Sequence, residues 1–438
     1  MDTQSVCLDL SATPNFCAHE HWGSIASIGS VPEGFRADVE CGATPASPTS
    51  VLDLLLDPYF GGCLWMAGED WGVWASESGE TDFWPWARMH HEAVWAKLWP
   101  AIERQRFVGM FQCIRRGVLA LYDVDLAEGP PPEDLNAAIA KNYEHIFDWY
   151  QTVMGRAHFT KLIRPVHPEF YIREESPDHA RRERAFTHTV MRIDPLLEFW
   201  PEACPRRDAL AANVRVIPKN AESWRAFIAA VFDLAADRGA LGIKQAQAYS
   251  RTLEFLPRED REVQWSGDLT PEHVRTFQDW VVHECCRQAE QRGWPHQIHV
   301  GTHNLRQSSP LPLEILAQRY PRMNIVMLHC WPYLEEAGAL AKGWRNVYID
   351  TCWQCILNPA FFKKAMSMWI NYVPLHKIAC SNDATSVEMA VGAATFAREI
   401  LAQVLLEQRT LCGATVRDLE EAALSLLHNN AAALYGIV

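Results

Sequence analysis

The amino-acid sequence predicts an α/β fold, in particular a (β/α)8 TIM barrel. Eight short apolar runs of the kind that form buried parallel strands follow one another, and helix-patterned segments separate most of them. No Gly-x-Gly-x-x-Gly follows the first run, which counts against the dinucleotide-binding form of an open doubly wound sheet, the main alternative. The 438 residues suffice for one elaborated domain or for several smaller ones.

The barrel is predicted in three segments. Residues 1–30 hold the first strand, expected at the apolar run 6–10, and a His-x-His motif. Residues 31–135 form a helical, Trp-rich insertion between strands 1 and 2, expected to pack over the mouth of the barrel; a helical subdomain remote from any site is the alternative. Residues 136–438 complete the barrel and end in helices. The remaining strands are predicted at 159–165, 187–194, 240–245, 297–301, 324–329, 347–350 and 377–383.

The composition restricts the classes of partner. Lys and Arg total 40 against 54 Asp and Glu, a net charge of −14, which argues against a nucleic-acid or anionic-membrane surface. No secretory signal and no uninterrupted apolar run of membrane-spanning length is visible, and the 13 cysteines lack regular spacing. We therefore expect a cytoplasmic protein with reduced thiols, a small-molecule substrate, no nucleic-acid or membrane partner, and the homo-oligomer as an open alternative. Cys352 and Cys355 are expected in the core or a pocket wall rather than as a redox pair.

The His-x-His motif suggests a metal site. Side chains at i and i+2 of an extended segment point to the same face, so His19 and His21 converge while Glu20 faces the other way. Two neutral imidazoles aimed at one point form half of a site for a divalent transition metal.

Further polar side chains end the later strands of the predicted barrel. The carboxyl ends of the strands of such a barrel face one pocket, so these side chains should meet the two histidines. Each has an ordinary structural explanation by itself, but their joint placement favours a site. They are Lys244, His299, His329 and Asp383.

Several motifs resemble the amidohydrolase superfamily of metal-dependent barrels, in the branch related to the N-terminal domain of the fungal FluG protein. They are His19-Glu20-His21, 243–245 (IKQ) with 249–251 (YSR), 297–301 (QIHVG), 327–333 (MLHCWPY), 346–350 (NVYID) and 377–383 (KIACSND). The resemblance covers the first strand and residues 140–400.

The resemblance implies His19, His21 and Asp383 as metal ligands, with His299 as a further ligand for which His303 competes. It implies a divalent metal, zinc with manganese as the alternative, and one ion in preference to two. Asp383 and His329 are the implied catalytic residues: the carboxylate moves a proton of the activated water, and the imidazole orients that water or donates to a developing oxyanion.

Four residues near strand ends 3 and 4 are expected to bind an anionic substrate: Lys244, Arg251, Tyr249 and Arg192. In two-metal relatives a lysine at the position of Lys244 is carbamylated, which stays an alternative. The predicted function is a metal-dependent hydrolase that uses metal-activated water to cleave an amide, lactam or ester-like bond in a small, carboxylate-bearing substrate. The alternative is a metal-dependent lyase or isomerase, similar to decarboxylases or uronate isomerases. A third hypothesis is a barrel that binds a ligand without being an enzyme.

Overall fold

The computed structural model describes residues 7–22, 48–172 and 177–437. Its centre is a parallel eight-stranded sheet in which each strand pairs with the next along the chain. The strands are β1 (Asn15–Cys17), β2 (Phe159–Val166), β3 (Thr187–Arg192), β4 (Ala240–Gln245), β5 (His296–Gly301), β6 (Ile325–Trp331), β7 (Val347–Asp350) and β8 (Ile378–Ala379). This is the predicted (β/α)8 fold.

Backbone hydrogen bonds close the barrel between its first and last strands. The amide of Asp383 donates to the carbonyl of His19 (3.0 Å), and the amide of His21 donates to the carbonyl of Ala384 (3.1 Å). The closing seam therefore runs through the His-x-His motif and places it beside the segment that follows β8.

The first strand differs from its prediction. Residues 7–10 form no strand, a turn follows at 11–12, and β1 begins at Asn15. Residue 6 and the expected boundary near residue 30 lie outside the described residues, and the boundary expected at residue 135 falls inside a helix. The correction has a simple cause: Asn15–Cys17 is buried throughout and pairs with β2, whereas Pro14 separates it from the apolar run before it.

Eight helices lie between β1 and β2 in the described part of the chain. They are α1 (Val51–Leu55), α2 (Phe60–Met66), α3 (Trp71–Glu77), α4 (Phe83–Met89), α5 (His91–Gln105), α6 (Gly109–Tyr122), α7 (Glu133–Glu144) and α8 (Ile146–Arg156). We call α1–α6 the insertion helices.

The later helices follow the strands in the alternation expected of the fold. They are α9 (Pro177–Arg184), α10 (Asp194–Glu198), α11 (Pro205–Val214), α12 (Ala221–Asp237), α13 (Pro271–Arg292), α14 (Glu314–Arg319), α15 (Leu334–Gly343), α16 (Gln354–Leu357), α17 (Pro359–Trp369), α18 (Val387–Cys412), α19 (Val416–Leu424), a π-helical turn (Ser425–Asn429) and α20 (Asn430–Leu434).

Two glycines allow the insertion helices to pack closely on the barrel. A Cβ on Gly117 of α6 would lie 1.7 Å from the carbonyl oxygen of Glu388, and a Cβ on Gly392 of α18 would lie 1.7 Å from that of Cys113. The backbones of α6 and α18 thus touch where they cross, and larger residues would separate them. Tyr122 and Tyr143 also donate hydrogen bonds of 2.7 and 2.8 Å to the buried Glu388 carboxylate.

Helix α18 is an apolar core helix. Of the described residues, it alone forms a helix long and apolar enough to cross a membrane by length and composition, although charged residues interrupt it. Of its most apolar window, 67% is buried inside the protein, and residues of α18 belong to the same hydrophobic cluster as the insertion helices. Its apolarity is therefore explained by packing.

Candidate metal centre

Three predicted ligands meet at the closing seam of the barrel. The Nε2 atoms of His19 and His21 lie 3.8 and 3.2 Å from Oδ1 of Asp383, and the two imidazole centroids are 5.0 Å apart. His19 and Asp383 are buried, and these ligand atoms are close enough together to hold one metal ion. The seam hydrogen bonds between the backbones of the two segments fix this arrangement.

The hydrogen bonding of His19 leaves one ring nitrogen available to a metal ion. Its Nδ1 donates a 2.7 Å hydrogen bond to Oε1 of Gln297, whose amide nitrogen donates to the carbonyl of Ala18 (2.8 Å) and to the Tyr435 hydroxyl (2.6 Å). The lone pair is therefore on Nε2, which is buried and has no hydrogen-bond partner among the described residues. Burial, with the charge of Lys244, holds the pKa of His19 well below its usual value, so the imidazole is neutral as a ligand must be.

Asp383 is a buried carboxyl group whose environment favours a nearby cation. Burial raises its pKa to about 7, while Lys244 and a hydrogen bond from Tyr59 oppose that rise. A bound divalent cation would favour the ionised form. The residues present thus supply two imidazoles and one carboxylate, which suits zinc or a similar ion.

Glu20 holds the segment that carries Asp383. Its carboxylate accepts hydrogen bonds from Nδ2 of Asn382 (3.0 Å), from the amide of Ala384 (2.9 Å) and from Cys17 (2.8 Å). Two of these three partners, Asn382 and Ala384, flank Asp383, and burial raises the pKa of Glu20 to about 8. The side chain is directed at the seam, where it positions a ligand rather than acting as one.

The structure brings His299 to His329 rather than into the group of three ligands. Nδ1 of His299 lies 3.0 Å from Nε2 of His329, and its Nε2 lies 2.7 Å from the Thr302 hydroxyl. His303 also contacts Thr302 and stacks on Trp353. Both ring nitrogens of His299 thus contact other side chains, and a further ligand at His299 or His303 stays a prediction.

His329 lies on the other side of the candidate ligand Asp383. Its Nδ1 is 3.5 Å from Oδ2 of Asp383 and 2.9 Å from the carbonyl of Cys352, and the Cys352 thiol lies 3.3 Å away. His329, Cys352 and Asp383 form a second group able to hold a metal. Burial lowers the pKa of His329 to about 3, so this imidazole is neutral too. Cys352 is in the wall of the site, as predicted for a residue of the core or pocket wall.

Lys244 and Arg192 end neighbouring strands. Lys244 is buried, and its charge contributes, after burial, to the low pKa of His299. Arg192 is paired with Lys244 in the register of β3 and β4, and its Nε donates to Asp194 at 2.9 Å. Lys244 thus belongs to the electrostatic environment of the site, and Arg192 lies beside it while bound to a carboxylate.

Arg251 is not brought to the cluster. Its guanidinium donates to the buried carboxylate of Asp279 (2.6 Å), to the carbonyl of Glu254 (2.8 Å) and to Gln278 (3.1 Å). These contacts are within the loop after β4 and with α13, so they give Arg251 a structural explanation. Its expected role in substrate binding stays a prediction. Tyr249, by contrast, has its ring centroid 4.5 Å from that of His299.

A cavity of about 600 Å³ opens next to the ligands. Its lining is mostly apolar and comes from the insertion helices and from strand-end loops of the barrel; it includes Tyr59, Met66, Met110, Tyr249, Trp331 and Trp353. Residues of the insertion helices therefore line this cavity.

One residue of this lining was not anticipated from the sequence. The hydroxyl of Tyr59 donates to Oδ1 of Asp383 at 3.3 Å, and the Tyr59 ring packs on Trp353 at 4.7 Å. No sequence pattern marks Tyr59, because it reaches the site through tertiary packing. Gln297 was also missed as a partner of His19, although it precedes His299 by two residues and so shares its face of β5.

The backbone is strained where it carries the site. His329 (φ 64°), Trp353 (φ 67°), Thr302 (φ 63°) and Asp383 (φ 61°) adopt left-handed conformations that non-glycine residues rarely take. Such strain persists only where the surroundings over-determine it, and it concentrates at functional sites. All four follow or end strands at the carboxyl end of the barrel.

Comparisons with known proteins identify the family of the chain. Residues 183–437 match the family model described as Amidohydrolase. Protein FluG from Emericella nidulans is 31% identical over 148 residues, which represent 29% of this chain and only 17% of that protein.

Solved structures share the fold over nearly the whole chain. Uronate isomerase from Thermotoga maritima has a TM-score of 0.72 at 11% identity, covering 97% of this chain and 95% of its own. Glucuronate isomerase from Caulobacter crescentus has a TM-score of 0.68 at 17% identity, covering 97% and 92%. A candidate metal-dependent hydrolase from Lactobacillus casei has a TM-score of 0.61 at 15% identity, covering 98% of both chains. The family match spans more than half of the sequence and includes Asp383, and the chain therefore belongs to the amidohydrolase family of enzymes.

Proposed function

We propose that this protein is a metal-dependent hydrolase that holds one divalent ion, zinc in preference to manganese, at His19, His21 and Asp383. The observation that carries the proposal is the buried Nε2 of His19, which has no partner among the described residues and faces Oδ1 of Asp383 at 3.8 Å. An unpartnered buried nitrogen costs free energy that a bound metal would recover.

The protein residues around the ion would transfer the proton and orient the reacting groups. A bound zinc ion supplies Lewis acidity, lowering the pKa of a water and polarising a carbonyl. Asp383 can accept a proton at Oδ2, the oxygen on the side of His329 rather than of the two histidine ligands, and return it to a leaving group. One tautomer of His329 satisfies both of its contacts: Nδ1–H donates to the Cys352 carbonyl, and Nε2 accepts from His299. These two hydrogen bonds fix the orientation of the imidazole beside Asp383.

The substrate class follows from charge and shape. The buried Lys244 ammonium provides a cation for a substrate carboxylate. The neighbouring cavity has methionine and tryptophan side chains in its wall and a volume of about 600 Å³, which suits a small molecule with an apolar part. We propose a small carboxylate that bears an amide, lactam or ester-like bond.

The test is a product assay on zinc-loaded and manganese-loaded protein. N-acyl amino acids, lactams and lactones that bear a carboxylate would be incubated with the enzyme and analysed by NMR and mass spectrometry for the hydrolysed product. Hydrolysis of at least one class, lost in Asp383→Asn, is expected. Protein with a full metal complement that hydrolyses none of them would refute hydrolysis of these bonds.

An isomerase is the second candidate, favoured by the hydrogen bond between Tyr59 and Asp383. A phenol beside a carboxylate can relay a proton between neighbouring carbons of a sugar acid, a step that hydrolysis does not need. Two structures that share the fold are a uronate isomerase and a glucuronate isomerase, so D-glucuronate is the first probe. Conversion of this aldose to its ketose, with hydrogen exchange at C2 in D2O and no hydrolysis in the first assay, would favour isomerisation. Release of carbon dioxide from D-glucuronate or from any compound of the first assay would instead indicate a decarboxylase.

A further inference from the structure

A second cavity lies at the amino end of the barrel, opposite the candidate metal centre. Its volume is about 500 Å³, and it is bounded by the segment before β1, the end of α8 and one face of α18. Its basic lining residues are Arg156, His158 and Arg398, and its acidic ones are Asp9 and Glu399. None of these residues belongs to the metal centre or to the cavity beside it.

Arg398 is an unusual residue in this cavity because its charge is buried without a counter-ion. The residue is 5% exposed, and its Nη2 donates to the carbonyls of Thr13 (2.8 Å) and Ala157 (2.9 Å). Its Nε is buried with no partner, and no carboxylate of the described residues contacts the guanidinium. Burial lowers its pKa to about 10. A buried cation of this kind is costly unless an anion compensates it.

The acidic residues of the cavity have other partners. Glu399 accepts two hydrogen bonds of 2.7 Å from Arg116, and Asp9 accepts one of 2.9 Å from the amide of Ser11. Arg156 and His158 are exposed at the rim, where they add to the positive potential. A purely structural role for Arg398, in which it holds the chain before β1 against the end of α8, explains the contacts of Nη2. That role leaves Nε unexplained.

We propose that this cavity binds a small oxyanion, such as the phosphate group of a metabolite, between the guanidinium groups of Arg398 and Arg156. A guanidinium binds phosphate oxygens through charge-assisted hydrogen bonds. Because Nη2 of Arg398 already donates to the carbonyls of Thr13 and Ala157, this residue contributes its uncompensated buried charge rather than a bidentate contact. The site is distinct from the candidate metal centre because the two lie at opposite ends of the strands.

The test titrates inorganic phosphate into the metal-loaded protein at constant ionic strength, with potassium chloride as the balancing salt. Isothermal titration calorimetry and Tm are the readouts. Phosphate should raise Tm in a concentration-dependent way that chloride does not reproduce. Arg156→Glu should weaken phosphate binding by about tenfold or more, since it replaces a cation at the rim with an anion. Arg88→Glu changes an exposed arginine of α4 outside this cavity and should bind phosphate as the wild type does.

Further variants keep the proposal open to refutation. Arg398→Gln tests the buried guanidinium directly, and Arg156→Glu serves if that variant does not fold. His19→Ala should retain phosphate binding, because the site does not involve the metal. Unchanged phosphate affinity in Arg156→Glu, or its loss in His19→Ala, would overturn the proposal, as would a wild-type protein that phosphate does not stabilise beyond chloride.

Discussion

The two sides of the candidate metal centre are built differently. On the seam side, backbone hydrogen bonds join the segments of His19 and Asp383 directly, and Gln297 accepts a hydrogen bond from Nδ1 of His19. On the insertion side, contact is made by side chains: Tyr59 reaches Asp383, and Asp57 accepts a hydrogen bond from Thr385. The difference suggests a division of labour, in which the seam sets the ligand geometry and the insertion helices set the pocket and proton transfer.

The largest effect is expected from removing a seam ligand. His19→Ala should reduce bound zinc to below about one tenth of the wild-type content and abolish activity, because the remaining imidazole and carboxylate form an incomplete site. Metal content would be measured by mass spectrometry after dialysis. His303→Ala is the control, since this exposed histidine lines the cavity without contacting the three ligands, and it should retain its metal. Wild-type zinc content in His19→Ala would remove this histidine from the site.

A smaller loss of zinc affinity is expected when the hydrogen bond that orients the His19 imidazole is removed. Gln297→Leu removes the acceptor of His19 Nδ1–H, which frees the imidazole to change tautomer and orientation. Zinc affinity should fall by about 10- to 100-fold, as measured by competition with a chelator. Tyr435→Phe removes the hydroxyl on the other side of the Gln297 amide while leaving the bond to His19, so its affinity should change much less. Equal losses in the two variants would contradict a specific role for Gln297.

On the insertion side we expect activity to change without loss of metal. Tyr59→Phe keeps the ring on Trp353 but removes the hydrogen bond to Asp383. Turnover should fall by about tenfold or more at unchanged zinc content. Tyr122→Phe, which removes another hydroxyl of the insertion helices that bonds Glu388 rather than Asp383, should lower Tm and leave turnover intact. A zinc content that drops in Tyr59→Phe would show instead that the insertion helps to hold the metal.

The smallest effect concerns Asp57, which accepts a hydrogen bond from Thr385 and so links the insertion side to the segment after Asp383. Burial raises the pKa of Asp57 to about 6, so the folded protein holds a proton that the unfolded chain releases. Through this group, stability should fall as pH rises from about 4 to about 6 and stay level above, by at most about 3 kcal/mol. Asp57→Asn should lose this dependence, so its Tm relative to wild type should improve from pH 4 to pH 7. The exposed Asp134→Asn should show no such trend, and a parallel pH profile for Asp57→Asn would contradict the assignment.

Much of the barrel could be predicted from sequence because buried parallel strands are continuous apolar runs. The strand at Ala240–Gln245 and the strand at Val347–Asp350 begin and end as expected. The first strand was misplaced because three residues carry too little pattern, and only their pairing with β2 identifies them.

The candidate site was predictable to the extent that its residues end strands. His19, His21, His329 and Asp383 come together for this reason, and the barrel supplies the rest of the geometry. Arg251 was expected in the pocket because it follows β4, but its loop turns it toward Asp279, which sequence spacing does not reveal. Tyr59 is the opposite case: its contact with Asp383 depends on how helices distant in sequence pack.

The crossing of α6 and α18 at Gly117 and Gly392 bears on how the protein is made. The hydrophobic cluster of the insertion helices includes residues of α18, which leave the ribosome only after nearly the whole barrel has been synthesised. Until then the insertion helices lack the surface on which they pack, and their apolar faces stay available to chaperones or to other nascent chains. Translation that stops before Val387 should therefore yield an aggregation-prone chain even though all eight of its strands are complete.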